Sequence, residues 1–274
     1  MNRAAIEFKN ISFSYPKSEK KALDEVSASF PSGETTAVIG ANGSGKSTLL
    51  RIIAGLLIPQ DGDLDIEGTR VDDDNVDKLL RDIGIVFQNP EAQFVASTIR
   101  EDIAFGLENR RIKPADMDSI IDKVAKKTGI TDLLSREPNT LSGGQKQRCA
   151  IASILALHPK ILLLDEATSM LDPLSRRVIF ELLSKIKKDD PDLTIIEVTH
   201  DWKEAAKADH LVALKGGRVA YQGDPAAIID DVERAEELGV NPSFEAELKS
   251  DLEKSLGNMK SFRTPEELMR CLKH

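Results

Sequence analysis

Cysteine is scarce in this sequence, which excludes folds that depend on covalent cross-links. The 274 residues include two cysteines, Cys149 and Cys271, too few for a disulfide framework. Neither lies in a CxxC pair or a Cys/His cluster, so the sequence predicts no zinc site. We expect both to be reduced thiols, since a free cysteine usually behaves as a small hydrophobic residue.

Long apolar runs are also absent. The longest, residues 52–59 and 161–164, have the length of core elements and fall short of the roughly 18 residues that span a bilayer. The first ten residues lack the apolar segment and cleavage site of a signal peptide. These features predict a cytosolic chain.

Basic residues are too few to balance the acidic ones. Lys and Arg number 37 against 46 Asp and Glu, which gives a formal net charge of -9. Non-specific binding to nucleic acids and to anionic lipids depends on positive charge. We therefore expect no nucleic-acid partner and no unaided binding to a lipid surface.

The apolar pattern that is present predicts an α/β fold. Strand-like runs alternate with helical ones, which is typical of a largely parallel sheet covered by helices. Buried-strand patterns occur at 35–40, 83–87, 161–165, 194–198 and 210–214.

Other segments depart from that alternation. Residues 4–15 alternate like a half-buried strand, and residues 61–70 suggest an antiparallel edge strand. A helix is predicted after Gly40 through about Leu57, and Gly216 begins a hairpin turn.

Two regions are predicted to be helical throughout. Residues from about 89 to 156 carry amphipathic helical patterns and form an insertion in the sheet domain. The chain from 225 to 274 is strongly charged and shows no further strand pattern. The sequence thus predicts a main domain over 1–224 and a C-terminal helical extension over 225–274.

A phosphate-binding loop follows the first buried strand. The pattern GxxxxGK[ST] lets backbone N–H groups surround phosphates, while its lysine contacts the β- and γ-phosphates and its hydroxyl can bind Mg²⁺. We predict that nucleotide contacts come from Gly40, Ala41, Asn42, Gly43, Ser44, Gly45, Lys46, Ser47 and Thr48.

Two carboxylates close the strand at 161–165. Ligands bind at the carboxyl ends of parallel strands, so Asp165 is predicted to hold Mg²⁺. Glu166 is predicted to orient or deprotonate the attacking water. Alone this pair is a weak signal, but it gains weight from the phosphate loop upstream.

The segment LSGGQ at 141–145 precedes a further helical pattern. A serine and two glycines at a helix start form an anion-binding terminus, and a single chain needs only one γ-phosphate site. The residues Ser142, Gly143, Gly144 and Gln145 therefore suggest contact with a nucleotide held by a partner. A capped helix with a Gly-Gly turn is the simpler alternative for this segment alone.

Together, these motifs resemble the ATP-binding-cassette ATPases over about residues 4–224. The resemblance implies a P-loop NTPase fold with a parallel core sheet, an antiparallel β subdomain and a helical signature subdomain. It also implies roles for Gln88 in sensing Mg²⁺ and water, Ser169 and Asp172 in a loop that crosses to the partner, His200 at the γ-phosphate, and Tyr15 against adenine.

Residues 86–94 and 98–109 narrow the resemblance to the energy-coupling-factor transporter ATPases of the CbiO and EcfA type, the first of two paired ATPases. This implies ATP and Mg²⁺ as ligands, with uptake of vitamins or transition-metal ions as the function. It also implies a second ATPase subunit (in a heterodimer or a homodimer), a membrane scaffold subunit and a substrate-binding membrane subunit. The chain would lie peripherally at the cytoplasmic face of the cell membrane.

The same resemblance predicts two contact regions. An apolar groove over residues 89–105, rimmed by Glu91, Glu101 and Asp102, would receive a short basic helix of the scaffold. The C-terminal extension would contact the second ATPase; a solubilising appendage is the alternative.

Other functions use the same phosphate loop but fit less well. DNA-repair members of the superfamily carry long coiled-coil insertions, which have no room between Gln88 and Leu141. Translation members usually hold two cassettes, whereas this chain has one phosphate loop. A P-loop kinase or GTPase has no use for the segment at 141–145 or for Glu166.

Overall fold

The computed structural model describes residues 3–228, 231–238 and 248. Its centre is a six-stranded sheet in the order β10-β9-β3-β8-β7-β6, parallel except for β10, which pairs antiparallel with β9. This confirms the predicted parallel core and the predicted hairpin. The strands are β3 (Thr35–Ile39), β6 (Ile83–Val86), β7 (Ile161–Asp165), β8 (Thr194–Val198), β9 (His210–Lys215) and β10 (Arg218–Gly223).

A second, antiparallel sheet has the order β2-β1-β4-β5. Its strands are β1 (Ala4–Phe13), β2 (Leu23–Pro31), β4 (Asp61–Ile66) and β5 (Thr69–Arg70). The predicted antiparallel pairing over 61–70 is confirmed, but the prediction of a single edge strand is wrong, because the segment forms two strands, of which β4 is internal and β5 is the edge. Glu67 and Gly68 both have positive φ, 51° and 74°, so the chain reverses within two residues.

Helices cover the core sheet or form the inserted segment. They are α1 (Lys46–Ile53), α2 (Val76–Leu80), α3 (Ile99–Asn109), α4 (Pro114–Thr128), α5 (Gly143–Leu155), α6 (Pro173–Asp189), α7 (Trp202–Ala205) and α8 (Val232–Glu237). The first helix ends four residues before the predicted Leu57. Gly55 follows it with φ 71°, a left-handed conformation that stops a helix.

The helices α3, α4 and α5 enclose an apolar core of their own. Ile99 and Ile103 of α3 pack there with Cys149 of α5, and all three are fully buried. Burial raises the pKa of the Cys149 thiol to about 12, as expected for an inert, reduced side chain. Cys271 lies outside the described residues.

The helix α5 also packs on the main sheet. Its Ala150 and Ile151 share a second core with Leu162 of β7 and Ile179 of α6. Opposite faces of one helix thus join the inserted segment to the sheet.

The start of the C-terminal extension packs against the sheet domain. Ile228 and Leu238 are buried in one cluster with Trp202 and Leu211. The helical patterns at 244–256 and 264–272 lie outside the described residues, apart from Leu248. Nowhere in the described part of the chain is a helix both long and apolar enough to cross a membrane.

Candidate functional site

The loop between β3 and α1 is built on glycines that no other residue can replace. A Cβ added to Gly40 would lie 2.2 Å from the carbonyl oxygen of Leu214, and one added to Gly45 would lie 2.6 Å from that of Ala22. Both have positive φ, 145° and 108°. The backbone therefore turns tightly here and leads into the N-terminus of α1, where N–H groups favour an anion.

Lys46 is the first residue of α1, and its side chain extends back into this loop. Its Nζ donates to the carbonyl oxygens of Gly40 (2.9 Å) and Ala41 (3.1 Å). Burial lowers the pKa of the ammonium, while the nearby carboxylates of Glu166 and Asp165 oppose that shift. The loop thus holds a largely desolvated cation.

Ser44 is the second buried polar group of the loop. Its hydroxyl oxygen is shielded from solvent and has no hydrogen-bond partner among the described residues. A buried hydroxyl without a partner is costly, so the loop has an unmet capacity to bind a polar ligand. Asn42 and Gly43, by contrast, are exposed at the loop tip.

Ser47 and Asp165 meet beside the loop. The Ser47 hydroxyl donates to Asp165 Oδ1 at 2.8 Å. Burial raises the pKa of Asp165, and the hydrogen bond from Ser47 opposes this. A hydroxyl and a carboxylate next to a phosphate-binding loop are oxygen ligands of the kind that Mg²⁺ prefers, so these residues fit such an ion.

Glu166 is held by two side chains from the segments that follow β6 and β8. His200 Nε2 lies 2.8 Å from Oε1, and Gln88 Nε2 donates to Oε2 at 2.9 Å. Gln88 Nε2 also donates to Ser169 Oγ at 3.2 Å, and that hydroxyl donates to the carbonyl oxygen of Glu166 at 2.9 Å. The structure thus brings together these four residues, which the sequence separates by up to 112 positions.

Glu166 also has an unfavourable backbone. Its φ of 50° is left-handed, which costs a residue with a Cβ about 1–2 kcal/mol. Such strain persists where the surroundings fix it, as the two side-chain contacts do here, and it is common at functional sites.

Tyr15 lies beside the first turn of α1. Its hydroxyl is 3.2 Å from Thr48 Oγ1, and its ring packs edge-on against Phe13 with centroids 5.1 Å apart. The half-buried ring therefore borders the phosphate-binding loop.

The segment at 141–145 begins α5 with a capping box. Ser142 Oγ accepts from the N–H of Gln145 at 3.4 Å, and Gln145 Oε1 accepts from the N–H of Ser142 at 2.9 Å. Within the described ranges, no hydrogen bond or ion pair joins residues 142–145 to the loop at 40–48. Gly144 instead packs against Ser175 of α6, where an added Cβ would lie 2.6 Å from the hydroxyl.

Between β7 and α6, the side chains of Ser169, Met170 and Asp172 are exposed. Asp172 caps α6 by accepting from the N–H groups of Leu174 (3.1 Å) and Ser175 (3.0 Å). Met170 is 67% exposed and Leu174 is 73% exposed, so apolar side chains flank this loop.

Three polar residues near His200 escaped the sequence analysis. Thr199, Glu204 and Arg176 form a buried or half-buried cluster behind the histidine. Their only sequence signal is that Thr199 precedes His200 directly and Glu204 follows it by four residues. Arg176 lies on a different helix, so no local pattern connects it to them.

The comparisons with known proteins agree with this geometry. The family model described as "ABC transporter" matches residues 23–169. The chain therefore belongs to the ABC transporter family, whose ATP-binding subunits are ATPases.

Relatives define the group within that family. The chain is 41% identical over 266 residues to the energy-coupling factor transporter ATP-binding protein EcfA1 of Staphylococcus aureus, covering 97% of each chain. It is 44% identical over 244 residues to EcfA of Pediococcus pentosaceus, covering 89% of this chain and 87% of that one. This confirms the resemblance to the energy-coupling-factor ATPases.

Solved structures give the same result. CbiO1 from Clostridium perfringens, described as part of the ABC transporter complex CbiONQ, superposes with a TM-score of 0.78 at 32% identity, over 91% of this chain and all of that one. The ATP-binding cassette MJ0796, a dimer bound to ADP and Pi, gives a TM-score of 0.71 at 32% identity over 80% of this chain and 98% of that one.

One predicted contact residue is placed differently by the structure. Asp102 was expected on the rim of a groove, but it is 7% exposed. Its carboxylate accepts from the N–H of Val95 at 2.9 Å and from the Ser153 hydroxyl at 3.1 Å. The expectation for Asp102 is therefore wrong, because the loop before α3 folds over it. Glu101 is exposed and caps α3 with Thr98.

The buried Asp102 leads to a prediction about stability. Changing Asp102→Ala should lower the free energy of unfolding by about 2 kcal/mol, because two donors lose a charged acceptor. Asp102→Asn is the matched control and should lose less, since its amide oxygen still accepts. Urea denaturation measures both, and an alanine variant as stable as the wild type would contradict the structural role.

Proposed function

We propose that the chain binds ATP at residues 40–48 and hydrolyses it as the motor subunit of an energy-coupling-factor transporter. The observation that carries the proposal is the Glu166 carboxylate, held between His200 and Gln88 beside the buried Lys46. In this arrangement Lys46 neutralises phosphate charge, and Tyr15 stacks on the adenine. The uptake of vitamins or transition-metal ions follows from the kinship with the energy-coupling-factor proteins.

Ser47 and Asp165 would hold Mg²⁺, with the Gln88 amide oxygen as a further ligand. The ion, when bound, neutralises charge on the phosphates. Asp165 supports this role because it is desolvated and next to the loop, and a carboxylate in that environment gains from a cation.

Glu166 would act on the water that attacks the γ-phosphate. A carboxylate held at both oxygens has a fixed orientation, so it can accept a proton from a water placed against it. His200, hydrogen-bonded to Oε1, fixes that orientation and contacts the γ-phosphate from its exposed side. Gln88 links the same carboxylate to the segment that follows β6.

Two substitutions separate binding from hydrolysis. Glu166→Gln should keep ATP binding and reduce turnover about 10²–10⁴-fold, the usual contribution of general-base catalysis. Lys46→Ala should weaken ATP binding itself, because it removes the charge that meets the phosphates. Calorimetry and phosphate release measure the two effects.

The control for both is Glu181→Gln, an exposed change on α6. It should leave binding and turnover unaltered. If Glu166→Gln loses less than tenfold in turnover, the assignment of Glu166 as the base is incorrect.

We further propose that activity needs two chains, with residues 142–145 of one contacting the nucleotide of the other. This is supported by the outward-facing crossing loop with Ser169 and Asp172, and by the lack of a bond from 142–145 to this chain's own phosphate loop. The partner is a second energy-coupling-factor ATPase in a heterodimer, or another copy of this chain. The extension at 225–274 would add a contact that persists without nucleotide.

Mixing two inactive variants tests this pairing. Gly143→Glu places a negative charge at the helix start, and an added Cβ there meets only Leu171 at an ordinary 3.6 Å. Alone, this variant and Lys46→Ala should each be inactive, but an equimolar mixture should regain part of the turnover, because one of the two shared sites is then intact. The same Gly143→Glu chain should inactivate the site shared with an added partner ATPase. Full activity of a demonstrated monomer would refute the two-chain site.

We propose that membrane subunits dock beside the segment after Gln88. A groove of about 390 Å³ lies there, lined by Glu91, Val95, Glu137, Lys146 and their neighbours. Val95 is 67% exposed, so an apolar contact surface is open to a partner. Glu91 is paired with Lys146, whereas Glu137 has no ion-pair partner in the described part of the chain and suits the short basic helix of a scaffold subunit. The chain would thus be held peripherally at the cytoplasmic face of the membrane.

Val95→Glu should disrupt this docking, because it buries a charge in the contact. In its native cells, the tagged wild-type chain should sediment with membranes and co-purify with integral proteins in fixed stoichiometry. The variant should move to the soluble fraction with unaltered ATP affinity. If it stays with the membrane subunits, the docking surface lies elsewhere.

A further inference from the structure

His200 is flanked by Thr199 and Asp201, and the Thr199 hydroxyl forms hydrogen bonds to residues on the other side of the histidine. Thr199 Oγ1 donates to Glu204 Oε2 at 2.5 Å and accepts from the N–H of Asp201 at 3.0 Å. Thr199 is 6% exposed and Glu204 is 7% exposed. The backbone on both sides of the histidine is therefore anchored to α7, in which Glu204 lies.

Arg176 reaches this anchor from α6. Its Nη1 lies 3.3 Å from Asp201 Oδ2, within hydrogen-bond distance. Its Nε lies 4.0 Å from Glu204 Oε1, which is too long for a hydrogen bond. The guanidinium thus faces both acidic residues of the segment that follows His200.

The second contact is incomplete. Both the Nε of Arg176 and the Oε1 of Glu204 are shielded from solvent, and neither has a hydrogen-bond partner within the described part of the chain. A shielded donor and acceptor of opposite charge are costly while they stay apart. A shift of about 1 Å would join them in a normal hydrogen bond.

We propose that Arg176 is a positioning residue for hydrolysis, which fixes His200 against Glu166 by bridging α6 to Asp201 and Glu204. The proposal rests on the functions proposed above for Glu166 and His200. Among the described residues, Arg176 forms no hydrogen bond or ion pair with Glu166, Lys46 or Ser47, so it would act through the segment that carries the histidine.

The position of Arg176 in the chain connects its contacts with Asp201 and Glu204 to the loop that precedes α6. It lies in the first turn of α6, one turn after Asp172, whose carboxylate caps that helix. The residues just before the helix form the loop proposed to cross to the second ATPase. A movement of that loop carries the start of α6 with it, and so changes the distance between Arg176 and Glu204. Because Glu204 is hydrogen-bonded to Thr199, a hydrogen bond between Arg176 and Glu204 would in turn affect the position of His200.

The test compares Arg176→Ala, His200→Ala and the double variant in the full chain, together with its paired ATPase. Arg176→Ala should lower kcat by about ten- to a hundredfold, as expected for a displacement of about 1 Å at a site of chemistry. The Kd for ATP should stay the same, because the phosphate-binding loop is unaltered. The double variant should be no slower than His200→Ala alone, since Arg176 acts through the histidine.

Arg177→Ala is the matched control. Arg177 is the next residue on the same helix, is 78% exposed and, among the described residues, pairs with Glu181 alone on the helix surface. This change should leave kcat unaltered. Should Arg176→Ala fail to fold, Glu204→Gln carries the test, because its amide still accepts from Thr199 but no longer attracts the guanidinium. It should show the same loss of kcat and the same lack of a further loss with His200→Ala.

Several outcomes would overturn the inference. Wild-type kcat in Arg176→Ala, or in Glu204→Gln where that variant is needed, would remove it. A double variant whose losses multiply would show that Arg176 does not act through His200. If Glu166→Gln or His200→Ala themselves keep full turnover, the proposed site roles fail, and the inference built on them fails with them.

Discussion

The order of the parallel strands is the constraint on which the site depends. β3, β8, β7 and β6 are successive neighbours, and their carboxyl ends lie at one edge of the sheet. The chain leaves these ends at Gly40, Thr199, Glu166 and Phe87, so residues far apart in sequence become adjacent side chains. Ligands bind at this edge in open α/β sheets for the same reason. The contacts of His200 and Gln88 with the Glu166 carboxylate are consequences of that order.

The position of the inserted helical segment is set by side-chain packing and not by strand order. It has its own apolar core, yet its helix α5 also supplies Ala150 and Ile151 to the core beside β7. The residues at the start of α5 are therefore positioned by packing on both faces of the helix. Gly144 adds a close contact to Ser175, so the start of α5 and the start of α6 are in register with each other. A displacement of the start of α5 therefore shifts the start of α6 as well, because well-packed interiors deform little.

The sequence predicted what is encoded locally. The phosphate loop at 40–48, the two carboxylates at the end of β7 and the individual strands of the parallel sheet are contiguous patterns, each with one physical explanation. What it missed depends on contacts between distant segments. An acid in the first turn of α3 is normally exposed, and only the fold of residues 95–98 buries Asp102. The reversal at Glu67 was missed because glutamate gives no signal for a positive φ. Arg176 and Glu204 face each other from two helices that no periodic pattern relates.

Trp202 has a consequence for how the molecule can be observed. It is the single tryptophan of the chain, is 4% exposed and lies two residues after His200. On its other side it packs with Ile228 and Leu238 at the start of the C-terminal extension. An indole buried among aliphatic side chains emits at shorter wavelength than one in water. The tryptophan fluorescence of this protein therefore arises from the contact between the segment that carries His200 and the start of the extension. The chain thus carries an optical reporter of this contact without any added label.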